Sequence, residues 1–306
     1  MSAKRGEFKT NDGCTIHYEL GYGPRSSLAD SPIVLVHGWS GSRRYFDDSW
    51  AALQGCANHP PVLVRYDLRG HGESDKPEWG YHVARYAADL RDLLRHLNLD
   101  NVTLVGTSMG CAIIWSYLEI FGDAKVKAAV FVDQAPLQNR AEDWNLGSKG
   151  CYDVASLTRL QALLKYDFMA FTKGNCKGCL SNPIDPSYER LLMAETMKAS
   201  PEGLSTLMAD HTALDWRPLL PRIRIPCLVL AGAKSQIFPV EGVKEVGRLI
   251  PGSTTVVFEY EDHWLYIEDF MRFATLVADF AENGMLTDSS VLARLESRDK
   301  DRLLGQ

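Results

Sequence analysis

No apolar run in this chain of 306 residues approaches the ~20 residues a helix needs to cross a bilayer, so no membrane partner is expected. There is no surplus of basic charge either. Lys and Arg number 33 against 39 Asp and Glu, a net charge of −6, which argues against a nucleic-acid face built from clustered cations. The opening Met1-Ser2-Ala3-Lys4-Arg5-Gly6-Glu7 lacks the apolar h-region of a secretory signal. Cysteines number seven, an odd count in a chain large enough to fold without staples, so reduced thiols in the cytoplasm are expected. Cys176-Lys177-Gly178-Cys179 is a C-x-x-C, but no second such pair and no H-x-x-x-H complements it. It is read as two thiols in a loop. Internal repeats and low-complexity tracts are missing as well.

What is present alternates. Segments 6–9 and 15–20 flank Asn11-Asp12-Gly13 and read as a hairpin. Ile33-Val34-Leu35-Val36 is an apolar run suited to a strand buried on both faces, and 62–66 reads the same way. Residues 45–53 between them read as a helix. In 82–98, Val83, Tyr86, Ala87, Leu90, Leu93, Leu94 and Leu97 fall at helical spacing with charges on the other face. Strands at 101–105, 128–132, 227–230 and 255–258 alternate with helices at 111–121, 240–249 and 267–282. This order predicts an α/β fold with a doubly wound, mostly parallel sheet.

Residues 135–218 break the alternation with helical patterns at 154–172, 187–199 and 201–211. An insertion there reads as a helical lid over the strand ends, where open α/β sheets place ligands. The expected organisation is a core of 1–134 and 219–283, the lid, and a charged tail at 284–306 with no catalytic part.

Gly106-Thr107-Ser108-Met109-Gly110 stands between the apolar 101–105 and a helical run. A G-x-S-x-G between strand and helix is a nucleophile elbow, with the serine on a strained turn and glycines making room around it. A serine hydroxyl needs a base, and its tetrahedral intermediate needs preorganised donors. The N–H of Met109, next after the serine, is one. Three further segments follow strand-like runs: His37-Gly38-Trp39, Asp67-Leu68-Arg69-Gly70-His71-Gly72-Glu73-Ser74, and Asp262-His263-Trp264.

With these four motifs in order, residues 14–283 resemble the α/β-hydrolase superfamily, in the branch holding esterases, lactonases, carbon–carbon bond hydrolases and perhydrolase-like haloperoxidases. The resemblance implies Ser108 as nucleophile, His263 as base, and the N–H of Trp39 as second oxyanion donor beside Met109. It implies bracing roles for Asp67 and Arg69. His37 and His71 read as loop-shaping residues, and His211, within the lid, could face a ligand. The acid is the departure. The family usually supplies it in a pattern like Gly-x-x-Asp-x-x-x-Pro, but here Gly232-Ala233-Lys234-Ser235-Gln236-Ile237-Phe238-Pro239 puts Ser235 in that place. Asp133, ending the strand after the elbow unit, is the favoured replacement, and Asp262 is a distant alternative.

A serine nucleophile fits acyl transfer, so the expected reaction is hydrolysis of an ester or lactone through an acyl-enzyme. Carbon–carbon cleavage or perhydrolysis on the same triad is the enzymatic alternative, and a small-molecule receptor the non-enzymatic one. The lid residues Trp144, Tyr152, Phe168, Met169, Phe171, Leu192, Met193, Leu207, Met208 and Trp216 suggest an apolar or aromatic substrate. The partner is a small molecule, with no cofactor or metal implied and the oligomeric state open.

Overall fold

A computed structural model describes residues 3–22, 31–55 and 62–287. Its centre is one sheet of eight strands. These are β1 (Ala3–Lys9), β2 (Thr15–Gly21), β3 (Ile33–Val36), β4 (Leu63–Tyr66), β5 (Val102–Thr107), β6 (Val126–Val132), β7 (Cys227–Gly232) and β8 (Thr254–Phe258), in the order β1-β2-β4-β3-β5-β6-β7-β8. The expected hairpin is there, β1 and β2 pairing antiparallel from Ala3↔Gly21 to Lys9↔Thr15. From β4 to β8 every pairing is parallel.

β3, β4, β5 and β7 are buried along their whole length, as strands covered on both faces must be. One face packs on α2 (Val83–His96), α3 (Met109–Phe121) and α8 (Val240–Leu249). The other packs on α1 (Asp47–Gly55), α9 (Leu265–Glu268) and α10 (Phe270–Asn283). Alternation decides the side: Val34 and Val36 belong to the first core, Ile33 and Leu35 to the second. The doubly wound α/β sheet read from the sequence is the fold observed.

Between β6 and β7 stand α4 (Val154–Tyr166), α5 (Phe168–Lys177), α6 (Pro186–Thr196) and α7 (Pro201–Ala213). Two helices predicted as single are divided. The pattern at 154–172 breaks at Asp167, whose side chain accepts from the N–H of Ala170 at 2.9 Å and caps a new helix. The pattern at 267–282 breaks at Asp269, which caps α10 through the N–H of Arg272 at 3.1 Å. The C-x-x-C is also not a loop pair: Cys176 lies in the last turn of α5, and both thiols are buried. The charged stretch after Thr287 lies outside the described residues, as does Cys56. Among the described residues no helix is long and apolar enough to cross a membrane.

Candidate active site

β5 ends at Thr107 and α3 begins at Met109, so Ser108 alone forms the turn between them. Its φ of 53° and ψ of −126° lie where a non-glycine residue stays only under constraint. The constraint is visible. The N–H of Ser108 donates to Val132 O at 2.8 Å, and the N–H of Cys111 donates to Ser108 O at 2.8 Å. A Cβ on Gly106 would collide with the backbone of Gly110, and one on Gly110 with the carbonyl of Val36. Strand and helix therefore meet as closely as the elbow requires. As the first residue of α3, Met109 has an N–H with no acceptor inside its helix, at the positive end of the helix dipole.

The loop after β3 lies against this turn. A Cβ built on Gly38 would stand 3.0 Å from Ser108 Cβ and 3.1 Å from Thr107 O. Two histidines brace the loop from behind. The N–H of Leu68 donates to His37 Nε2 at 3.1 Å, so the proton of His37 is on Nδ1, 2.8 Å from Gly38 O. The N–H of Ser40 donates to His71 Nε2 at 3.3 Å, while His71 Nδ1 meets Arg69 O at 2.8 Å. Burial pushes His37 down to about 4 and His71 down to about 3, so both imidazoles are neutral at pH 7. Neither faces the cavity, in keeping with the loop-shaping role read from the sequence. Asp67 accepts from the N–H of Arg43 and of Glu73 at 2.8 and 2.9 Å, and Arg69 forms a bidentate pair with Asp89. These two are interior braces.

Parallel register carries the serine's neighbourhood across the sheet. Thr107 pairs with Val132 and Val132 with Leu230, so the residues after β5, β6 and β7 share one edge. Asp133, the residue after β6, sits between the other two strand ends, and its N–H donates to Leu230 O at 2.8 Å. Its φ is 47°, a second left-handed residue beside Ser108. Fully buried, it accepts from the N–H of Gly232 on Oδ1 at 2.9 Å and from Ser235 Oγ–H on Oδ2 at 2.7 Å. The same Oδ2 is 2.7 Å from His263 Nδ1. A carboxylate can only accept, so Nδ1 carries the proton and Nε2 keeps its lone pair.

Asp262 is turned elsewhere. Its Oδ1 accepts from the N–H groups of Gln236 and His263, both at 2.7 Å, and its Oδ2 from Ser181 Oγ–H and Gln236 Nε2, both at 2.8 Å. It holds the loop that carries His263 without touching the imidazole.

Ser108, His263 and Trp39 line one cavity of about 230 Å³. Core residues Thr107, Phe238, Trp264 and Tyr266 form part of its wall, and Phe171, Met208 and His211 close it from the inserted helices. Among the described residues no Lys, Arg, Asp or Glu lines it. Of the ten large apolar residues singled out in the insertion, only Phe171 and Met208 reach the cavity. Trp216 packs on Trp115 with ring centroids 6.0 Å apart, Leu192 belongs to the core under α10, and Met169 is exposed. The wall residues Gln138, Phe238 and Tyr266 carried no sequence signal, because only the chain's folding turns them inward. Ser235 was legible as a missing acid but not as a partner of Asp133.

An elbow serine above a parallel sheet, with an imidazole fixed by a carboxylate across the strand ends, defines an α/β-hydrolase enzyme. The chain belongs to that family: the family model described as "alpha/beta hydrolase fold" matches residues 31–270. It is 33% identical over 267 residues to a non-heme chloroperoxidase of Streptomyces lividans, covering 84% of this chain and 92% of that one. It is 27% identical to 3-oxoadipate enol-lactonase 2 of Acinetobacter baylyi, covering 72% of this chain and 75% of the relative. An esterase from Exiguobacterium antarcticum shares the fold with a TM-score of 0.83 at 24% identity, over 90% of this chain and 99% of that one.

Proposed function

We propose that the protein hydrolyses a carboxylic ester or lactone of a small, uncharged, mainly apolar substrate through an acyl-enzyme on Ser108. The observation that carries this reading is the 2.7 Å contact between His263 Nδ1 and Asp133 Oδ2, in the cavity neighbourhood of a strained elbow serine. In this mechanism His263 Nε2 takes the proton of Ser108 as Oγ attacks the carbonyl carbon. The N–H groups of Trp39 and Met109 hold the oxyanion. The intermediate collapses as His263 gives its proton to the leaving alkoxide, and a water activated by the same imidazole releases the acid. Asp133 keeps the imidazole in the productive tautomer and offsets its transient charge.

Residues 135–218 act in this reading as the lid. Support comes from the cavity wall, which the insertion completes with Phe171, Met208 and His211. The uncharged lining supports a neutral substrate, because a carboxylate or ammonium would lose its hydration there without a counter-charge. A cytoplasmic setting belongs to the same reading, supported by six described cysteines that are buried as free thiols.

Perhydrolysis is the second reading, favoured by the chloroperoxidase relative; hydrogen peroxide would then replace water on the acyl-enzyme and leave as a peracid. Labelling by a fluorophosphonate probe, lost in Ser108→Ala, together with turnover of a panel of phenyl esters and lactones, tests the main reading. A protein inert to both would overturn it. Peracid release from an ester with peroxide, outpacing hydrolysis, would select the second.

A further inference from the structure

The insertion brings to the cavity a buried imidazole with one ring nitrogen, Nδ1, that the described residues leave unsatisfied. His211 lies on α7 three residues after Met208, on the same helix face, and both line the cavity. The residue is 3% exposed, and among the described residues its Nδ1 has no hydrogen-bond partner. Burial, opposed by no charge or hydrogen bond, pushes it down to about 4, so at pH 7 it is neutral, with one donor and one acceptor nitrogen. Gln138 lies on the same wall, its Nε2 3.3 Å from Met208 Sδ and 3.3 Å from Cys151 O.

Buried polar groups in folded proteins are almost always paired, and a lone one calls for a partner. Other buried atoms without partners, such as Tyr66 OH and Trp115 Nε1, sit in the core away from the cavity. Thr107 Oγ1 does belong to a cavity-lining residue, but it adjoins the elbow and faces the Tyr266 hydroxyl. His211 is different: it stands on the insertion side, apart from the core elements that supply Ser108, His263 and the oxyanion loop.

We propose that His211 determines specificity by hydrogen-bonding an uncharged oxygen of the substrate, a ketone or hydroxyl, placed away from the scissile carbonyl. The substrate class is then an oxygenated neutral ester or lactone rather than a plain hydrocarbon one. The absence of charged side chains from the cavity lining among the described residues excludes a carboxylate as the preferred group. A polar group held in an apolar wall discriminates strongly, because the analogue lacking the oxygen leaves the imidazole unpaired again. This inference rests on the hydrolase reading above.

The test uses two matched pairs: phenyl pentanoate with phenyl 4-oxopentanoate, and 2-phenylethyl pentanoate with its 4-hydroxyphenyl analogue. In the native protein kcat/KM for the oxygenated member of at least one pair should exceed its partner by roughly tenfold. In His211→Phe that ratio should fall to about one, and His211→Gln, which keeps a donor and an acceptor, should restore part of it. Where His211→Phe does not fold, His211→Leu takes its place. No preference in either pair, or a preference that survives the loss of the imidazole, overturns the proposal. If none of the four esters is turned over, binding to Ser108→Ala decides this inference separately, and the hydrolase reading falls only if the fluorophosphonate probe and the wider panel fail as well. Tighter binding of an oxygenated ester, kept in part in Ser108→Ala/His211→Gln and lost in Ser108→Ala/His211→Leu, supports it, and equal binding within both pairs overturns it.

Discussion

Ser108 and Asp133 are non-glycine residues at positive φ, 53° and 47°, at the ends of adjacent strands. Each conformation is costly on its own and each turns a side chain to the same sheet edge. Asp133→Asn should lower kcat by roughly 10³–10⁴-fold, because the amide can donate to Nδ1 and favour the wrong tautomer; an unchanged circular dichroism spectrum would show the fold intact, and near-normal turnover would remove Asp133 from the mechanism. Ser235 Oγ and His263 Nδ1 converge on one oxygen of Asp133, both at 2.7 Å. That convergence predicts that the two strand ends exchange duties. Asp133→Ser with Ser235→Asp should recover turnover well above Asp133→Ser alone, measured as kcat on one phenyl ester. No gain from the second substitution would mean that position 235 cannot aim a carboxylate at the imidazole. Buried histidines also give stability a pH dependence. His37 and His211 are held near 4 and His71 near 3, below the ordinary 6.5, so the unfolded chain takes up their protons first as pH falls. Stability from these groups is complete above about 6.5, declines through 4 and, for His71, through 3. Thermal midpoints between pH 7 and 4 should fall less steeply in His211→Phe than in the native protein.

Elements were legible where periodicity was clean and misread where a cap interrupted it. α2 follows its apolar stripe, with Val83, Tyr86, Ala87, Leu90, Leu93 and Leu94 all buried. The 154–172 pattern continues hydrophobically past Tyr166, yet Asp167 ends one helix and starts the next with the same residue. A helical stripe says nothing of such a break, whereas a side chain competing for a backbone N–H creates one. Asp167→Ala should cost about 1 kcal/mol of stability in urea unfolding. A change near zero would mean that packing against α6 and α7, not the cap, sets the junction. Most of the insertion's large apolar residues serve packing in the same way. They suggested an apolar substrate, but Trp144, Leu207 and Trp216 are buried in the core on one face of the sheet and Leu192 in the core on the other, because an inserted helix must first cover apolar surface against the body it packs on.

Asp133, Ser235 and His263 lie 25, 127 and 155 residues beyond Ser108 in the chain, and sheet order gathers them, with β5, β6, β7 and β8 adjacent and in register. The cavity then inherits its lining from two sources, Ser108, His263 and Trp39 from the core and an uncharged wall shared with the insertion. Esters carrying a free carboxylate should consequently be turned over at least ~100-fold more slowly than their methyl-capped counterparts, by the cost of burying an unpaired charge. Equal kcat/KM for such a pair would place the charge outside the cavity. The sequence by itself determined the alternating α/β order, the elbow, the histidine after the last strand and the vacancy at 235, since each is written in local spacing and residue type. It also offered Asp133 as an acid without showing what the carboxylate would touch. Only the tertiary structure decided that Asp133 reaches His263, that Ser235 supports the same oxygen, and that His211 enters the cavity, because those contacts depend on parallel register and on which way each buried side chain turns.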